Sequence, residues 1–208
     1  MARALSIGVL VSGEGTLLDA LSQRIGEGTV PARIALVVSD RPRAGALERA
    51  RRAGLPTESL PRAGVPPERW SSALDSLLRG RAVDVVVLAG FLSILPSSFL
   101  ERWTGRVLNV HPSLLPNFGG KGMFGLRVHR AVLESGERTT GATVHLVTES
   151  IDAGPVLAQR SMPVEVGDTP ESLRDRLRPV EVELLAEVLG RFARGEAPRP
   201  EERRVGAG

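Results

Sequence analysis

The sequence predicts an α/β fold, a doubly wound and mostly parallel sheet in a single domain. Three observations point there. Apolar runs of strand length alternate with segments whose leucines recur at helical spacing. One run, Val83 to Leu88, is apolar almost throughout, as a strand covered on both faces must be, and it is the best candidate for the sheet centre. The 208 residues are enough to bury roughly two-thirds of the unfolded surface in one core without staples.

Leu5 to Val11 reads as the first strand, turned by Ser12-Gly13-Glu14-Gly15-Thr16 into a helix with Leu17, Leu18, Leu21 and Ile25 on one face. Ile34 to Ser39 is a second strand, followed by a helix over Gly45 to Ala53 that stops at Gly54. Thr57 to Leu60 fits a short third strand. After the Pro/Gly-rich connection Pro61 to Pro67, Glu68 to Arg79 places Trp70, Leu74, Leu77 and Leu78 on one helical face. Beyond Val83 to Leu88, the segment Ile94-Leu95-Pro96 suits either core packing or a flat heteroaromatic ligand, with core as the default.

Arg106 to Val110 is the next strand, ending at His111-Pro112, and Pro116 to Gly125 is glycine-rich, aperiodic and read as a long loop. Arg127 to Leu133 is a short helix. Thr139 to Val147 and Pro155 to Pro163 are strands joined by Thr148 to Gly154. Thr169 to Arg194 is an amphipathic helix with a Thr N-cap and Glu171 in its first turn, where negative charge suits the helix dipole. We expect one domain over 1–194 and a flexible tail over 195–208.

Composition excludes several functions. There are no cysteines, so no disulfide framework or thiolate metal site is available, and no metal is expected. No run approaches the ~20 apolar residues of a membrane span, and the N-terminus does not read as a signal peptide, so a cytoplasmic protein is expected. The formal charge of +3 is spread among interspersed acids, with Lys121 the single lysine, which does not suggest a nucleic-acid groove. A local phosphate site stays open. It needs only one loop and one helix terminus, and the glycines at 13 and 15 permit close approach of an anion, although an ordinary βα turn is the default reading. The spacing is neither a dinucleotide fingerprint nor a P-loop.

Leu108-Asn109-Val110-His111-Pro112-Ser113 places an amide and an imidazole two apart, so strand alternation points both to one side. Acyl transfer needs a donor for the developing oxyanion and a group to manage the proton of an attacking amine, and Asn and His fill those roles. A polar strand end satisfied by backbone is the alternative. Asp152 sits on a turn, where Asp serves local hydrogen bonding, but a pairing with His111 would orient and charge the ring. His145 reads as structural and His129 as a surface residue.

Together, Val11 to Thr16, Asp84 to Phe91, Leu108-Asn-Val-His-Pro-Ser-Leu-Leu-Pro116, Gly141 to Thr148 and Ile151-Asp-Ala-Gly-Pro155 resemble the glycinamide ribonucleotide formyltransferases, folate-dependent enzymes of purine biosynthesis with a Rossmann-like fold. The resemblance covers roughly Leu5 to Phe192. It implies a transferase with 10-formyltetrahydrofolate as co-substrate and a catalytic trio at Asn109, His111 and Asp152, acting by direct attack through a tetrahedral intermediate. The oxyanion would be held by Asn109 and a protonated His111, which Asp152 keeps charged.

The resemblance also places the ribonucleotide against Gly15, Thr16, Leu17, Arg178 and Glu181. Folate falls against Leu92, Ser93, Ile94 and Leu95 and against Thr148, Glu149, Ser150 and Ile151. Many relatives have Asn at the place of Leu17 and Arg at that of Ser93, so those side-chain contacts are lost here. The 117–127 loop suits a mobile flap. Small-molecule substrates are expected, with no nucleic-acid or membrane partner, in a monomer or weak homodimer. A formyltetrahydrofolate hydrolase and a methionyl-tRNA formyltransferase share the trio but carry extra domains, so length argues against both. A nonenzymatic nucleotide-binding module is the reading from another class; it would need the glycine loop and not the trio.

Overall fold

The computed structural model describes residues 4–196. Strand β1 (Leu5–Val11) is buried along its whole length and leads through the glycine turn into α1 (Thr16–Gly26). Next come β2 (Ala32–Ser39), α2 (Gly45–Arg52), β3 (Thr57–Ser59), α3 (Pro67–Gly80) and β4 (Val85–Leu88). Then α4 (Ser97–Arg102) precedes β5 (Val107–His111), α5 (Leu126–Glu134), β6 (Thr139–Leu146), β7 (Val156–Pro163) and α6 (Pro170–Ala193). The spacing does not predict α4, because six residues are too few to show a helical period. The other boundaries agree with the sequence reading to within a few residues.

The seven strands lie in the order β3-β2-β1-β4-β5-β6-β7. The first five are parallel, and β6 and β7 add antiparallel to one edge. Val85–Leu88 occupies the fourth, central place, as its unbroken apolar run requires. Order reverses between β1 and β4, since β2 and β3 extend to one side and β5 to the other. That reversal opens a crevice beyond their carboxyl ends, where doubly wound sheets bind ligands.

Two apolar layers sandwich the sheet. One face packs Leu17, Leu18 and Leu21 of α1, Ala46 and Leu47 of α2, and Leu177, Leu184, Leu185 and Val188 of α6. The other packs Trp70, Leu74 and Leu78 of α3 with Phe99 of α4 and Trp103. Ile94-Leu95-Pro96 divides between the two readings: Leu95 is 5% exposed and enters the second layer, whereas Ile94 is 67% exposed. Two glycines are required by space. A Cβ on Gly15, which has φ +78° at the N-cap of α1, would lie 2.6 Å from Cβ of Ala46, and one on Gly154 would lie 1.8 Å from the Leu146 carbonyl oxygen.

Helix α6 starts as predicted. The Thr169 side chain accepts from the Ser172 N–H at 3.1 Å, and Ser172 Oγ accepts from the Thr169 N–H at 2.9 Å, a reciprocal cap. Pro179 lies inside the helix. Having no N–H, it leaves the Asp175 carbonyl without its i+4 donor in the stretch that faces the crevice. Of the tail expected over 195–208, Gly195 and Glu196 donate back to Phe192 and Arg191 and close the last turn, and residues 197–208 lie outside the described residues.

Candidate active site

A cavity of about 420 Å³ lies at the switch point. The carboxyl ends of β4 and β5, the loop before α5, the turn after β6, and α6 all contribute to its wall. Ser12 ties the first turn to the segment after β4: its N–H donates to the Gly90 carbonyl and its Oγ accepts from the Leu92 N–H at 2.8 Å.

The structure brings Asn109, His111 and Asp152 together at this cavity. Alternation along β5 turns Asn109 and His111 to the same side, and the turn after β6 carries Asp152 to meet them. Asp152 has φ +52°, a left-handed conformation that Asp tolerates better than most residues. His111 Nδ1 lies 3.5 Å from Asp152 Oδ2, and Asn109 Nδ2 donates to Asp152 Oδ1 at 3.4 Å. The long loop also reaches the trio. His111 Nε2 is 2.8 Å from the Phe118 carbonyl, which only an N–H can satisfy, and the Gly120 N–H donates to Asp152 Oδ2 at 2.9 Å.

These contacts set the charges. Burial pushes the His111 imidazole below its ordinary 6.5 and His145 pushes the same way; the Asp152 carboxylate and the Phe118 carbonyl resist without reversing the shift. Burial thus works against the charged ring that the resemblance implies, and Asp152 works for it. The His111 Nε2 N–H serves the Phe118 carbonyl, and Nδ1 faces the Asp152 carboxylate. Burial alone would raise Asp152, but the hydrogen bonding and charge of the protonated forms of His145 and His111, with the Gly120 N–H, outweigh it and hold the carboxyl below 3.8.

His145, expected to be structural, belongs to this constellation. It is paired with Asn109 across the β5–β6 ladder. With Nδ1 donating to the Leu146 carbonyl at 2.9 Å, Nε2 of the neutral ring accepts from Asn109 Nδ2 at 3.0 Å. Nε2 also lies 3.6 Å from Asp152 Oδ1. Register across an antiparallel pair, which strand composition does not reveal, creates this contact.

His129, expected at the surface, is 2% exposed and lines the cavity, because α5 packs against α6. Burial, then the charges of Arg178 and Arg174, push its imidazole down to about 4. A signal was present: Val128 and Val132 are one turn apart on the buried face, and His129 adjoins them. Arg178 and Glu181 meet as expected, with NH1 donating to Oε2 at 2.8 Å. Glu181 is 4% exposed, and burial pushes it up to about 7 against the opposing charge of Arg178.

All eight positions expected to face folate, Leu92 to Leu95 and Thr148 to Ile151, line the cavity. Leu92, Ile94 and Ile151 expose apolar surface there. Ser93 donates to the buried Asp40 at 2.6 Å. Of the three residues expected at the ribonucleotide loop, Leu17 lines the cavity, whereas Gly15 packs against Ala46 and Thr16 is exposed at the start of α1.

An amide donor, an imidazole and an ionised carboxylate thus converge beside an apolar slot at a switch point. Such equipment can stabilise an oxyanion and move a proton, as acyl transfer demands. The fold and this site suit an acyl transferase, and the chain belongs to the formyl transferase family, whose model matches residues 5–189.

Among its relatives, the chloroplastic phosphoribosylglycinamide formyltransferase of Arabidopsis thaliana is 40% identical over 90% of this chain, which spans 65% of that protein's length. The crystal structure of glycinamide ribonucleotide transformylase 1 from Symbiobacterium toebii is 41% identical with a TM-score of 0.85, covering 94% of this chain and 90% of that one. A formyltetrahydrofolate deformylase from Pseudomonas syringae is more distant, at 27% identity and a TM-score of 0.80, covering 93% of this chain and 63% of that one.

Proposed function

We propose that the chain transfers a formyl group from 10-formyltetrahydrofolate to the amine of glycinamide ribonucleotide, in purine biosynthesis. The observation that carries this reading is the convergence of Asn109, His111 and Asp152 on the cavity, in a chain whose nearer relatives are named for that reaction. The ribonucleotide lies toward Gly15, Thr16, Leu17, Arg178 and Glu181. The folate lies along Leu92 to Leu95 with its polar edge read by Thr148 to Asp152. The site of action is cytoplasmic, and the chain works as a monomer or weak homodimer.

The amine nitrogen attacks the formyl carbon, and the C=O π pair moves to oxygen. Asn109 Nδ2 turns an N–H to that oxyanion; its 3.4 Å bond to Asp152 is the weaker of its two and the one an oxyanion replaces. His111 supplies the second donor, Nε2–H, once the Phe118 carbonyl gives way. Filling the cavity with a developing negative charge favours the imidazolium, which Asp152 then balances across 3.5 Å. The bond from carbon to the folate nitrogen breaks, the C=O re-forms, and the proton lost by the amine ends on the folate nitrogen. No covalent enzyme intermediate is needed.

The test is an absorbance assay of folate deformylation with and without glycinamide ribonucleotide, repeated with Asp152→Ala. Turnover that depends on the ribonucleotide and collapses in the variant supports the transferase. Deformylation without the ribonucleotide would establish a hydrolase, in which water replaces the amine. No turnover in either condition would leave a binding module.

A further inference from the structure

The sequence has 27 lysines and arginines, of which Lys121 alone is a lysine. Its ε-amine is the one side-chain primary amine of the chain, because a guanidinium stays protonated and is no nucleophile. That amine stands at the cavity. Lys121 lines it, exposed, in the loop before α5, and among the described residues its side chain has no hydrogen bond or ion pair. The two arginines of the same wall are engaged, Arg174 with Asp175 and Arg178 with Glu181.

Two observations tie the lysine to the trio. It directly follows Gly120, whose N–H donates to Asp152 Oδ2 at 2.9 Å. Covalent geometry puts the Lys121 Cα about 5 Å from that nitrogen, a distance that its flexible four-carbon stem can cover in folding back. Gly120 and Gly122 flank the lysine at φ +92° and +90°, and a Cβ on either would meet nothing within 4 Å. Packing therefore does not pin the segment, and glycine on each side leaves the stem free to turn into the cavity.

We propose that Lys121 is a second formyl acceptor: with the formyl donor bound and no ribonucleotide present, the chain formylates its own lysine. This rests on the reading above that the cavity binds 10-formyltetrahydrofolate. The lysine offers a primary amine, the same class of nucleophile as the ribonucleotide. Its neutral Nζ attacks the formyl carbon, and the C=O π pair moves to oxygen, where Asn109 and His111 donate. The C=O re-forms as the bond from carbon to the folate nitrogen breaks, and the proton lost by Nζ ends on that nitrogen. The products are tetrahydrofolate and an Nε-formyl-lysine. The amide carries no charge, so the loop loses its cation and this site cannot react twice.

The experiment incubates the full chain with excess 10-formyltetrahydrofolate and no ribonucleotide, then reads intact mass, peptide masses and folate release. Parallel samples hold Lys121→Arg, Asp152→Ala, the urea-denatured parent, and the parent with glycinamide ribonucleotide. The parent should gain one formyl group, on the peptide that contains Lys121, and release of folate should stop at one equivalent per chain. A lysine-specific protease, which can cut the denatured parent only after Lys121, should leave the formylated chain whole. Lys121→Arg should gain nothing. Labelling should be at least about tenfold slower in Asp152→Ala and in the denatured parent, which lack the organised site. Ribonucleotide should suppress it, and a higher pH should quicken it, because the neutral amine is the nucleophile.

Equal labelling of the parent, the Asp152 variant and the denatured chain overturns the proposal, since the reaction would then be uncatalysed. So does a formyl group that persists in Lys121→Arg. A parent that formylates the ribonucleotide but leaves Lys121 bare sinks the proposal and keeps the transferase reading. Asp152-dependent labelling of Lys121 in a chain that ignores the ribonucleotide does the reverse. Folate release that continues past one equivalent without a gain in mass is hydrolysis and overturns both.

Discussion

Asn109 and His145 face each other across the β5–β6 ladder, and the bare Nε2 of His145 accepts the Asn109 amide at 3.0 Å. The contact fixes which end of the Asn109 amide is nitrogen, and so points a donor rather than an acceptor toward the reacting carbonyl. His145→Leu should therefore lower kcat about tenfold or more while leaving both KM values nearly unchanged, because the donor acts on charge that develops only in the transition state. His145→Gln, whose carbonyl can accept the same bond, should recover part of the loss. Equal kcat for the parent and the leucine variant would remove His145 from the site.

The chain has three histidines, so their ring protons can be followed individually by NMR as pH is changed. His129 should titrate near 4 and His111 below 6.5. Asp152 is the main influence raising the His111 pKa, so Asp152→Asn should shift the His111 midpoint to still lower pH. An unchanged midpoint would mean that the 3.5 Å pair does not couple electrostatically.

Much of this architecture can be read in the residues themselves. The apolar runs at Leu5 to Val11 and Val83 to Leu88 could be covered on both faces only in a parallel sheet, and parity along β5 already placed Asn109 beside His111. What could not be read depends on tertiary contacts. Which β6 residue lies opposite Asn109 is set by register. That His129 is buried follows from the docking of α5 on α6, and the pairing of Ser93 with Asp40 joins segments 53 positions apart. The charge state of His111 depends on how deeply the cavity buries it, which no local pattern reports.

Glu181 gives the fold a distinctive pH dependence. Burial raises its folded-state pKa to about 7, above its ordinary 4.5. The protonated form is therefore favoured by folding. Its contribution is complete below pH 4.5 and is lost as pH rises through 7, by on the order of 3 kcal/mol. Glu181→Gln should remove that slope: relative to the parent, its melting temperature should improve steadily between pH 4.5 and 8. Parallel melting curves across that range would show that Arg178 fully compensates the buried carboxylate.

The loop before α5 divides into an anchored and a free part. Phe118 and Gly120 are bonded to His111 and Asp152, and the Asn117 and Met123 N–H groups donate within the loop. Lys121, Gly122, Phe124 and Gly125 are exposed and line the cavity, and Gly120, Gly122 and Gly125 take positive φ values that glycine adopts without strain. Amides of Lys121, Gly122, Phe124 and Gly125 should thus exchange rapidly in the free protein, while those of Asn117, Gly120 and Met123 are slow. If the free part closes over substrates, a ribonucleotide and a non-transferable folate together should slow its exchange by about tenfold or more. The same ligands should disturb the anchored part, because the Phe118 carbonyl must release His111 for its N–H to reach the oxyanion. Equal protection with and without both ligands would mean that the loop is a fixed wall, and His111 would then have to act through Nδ1.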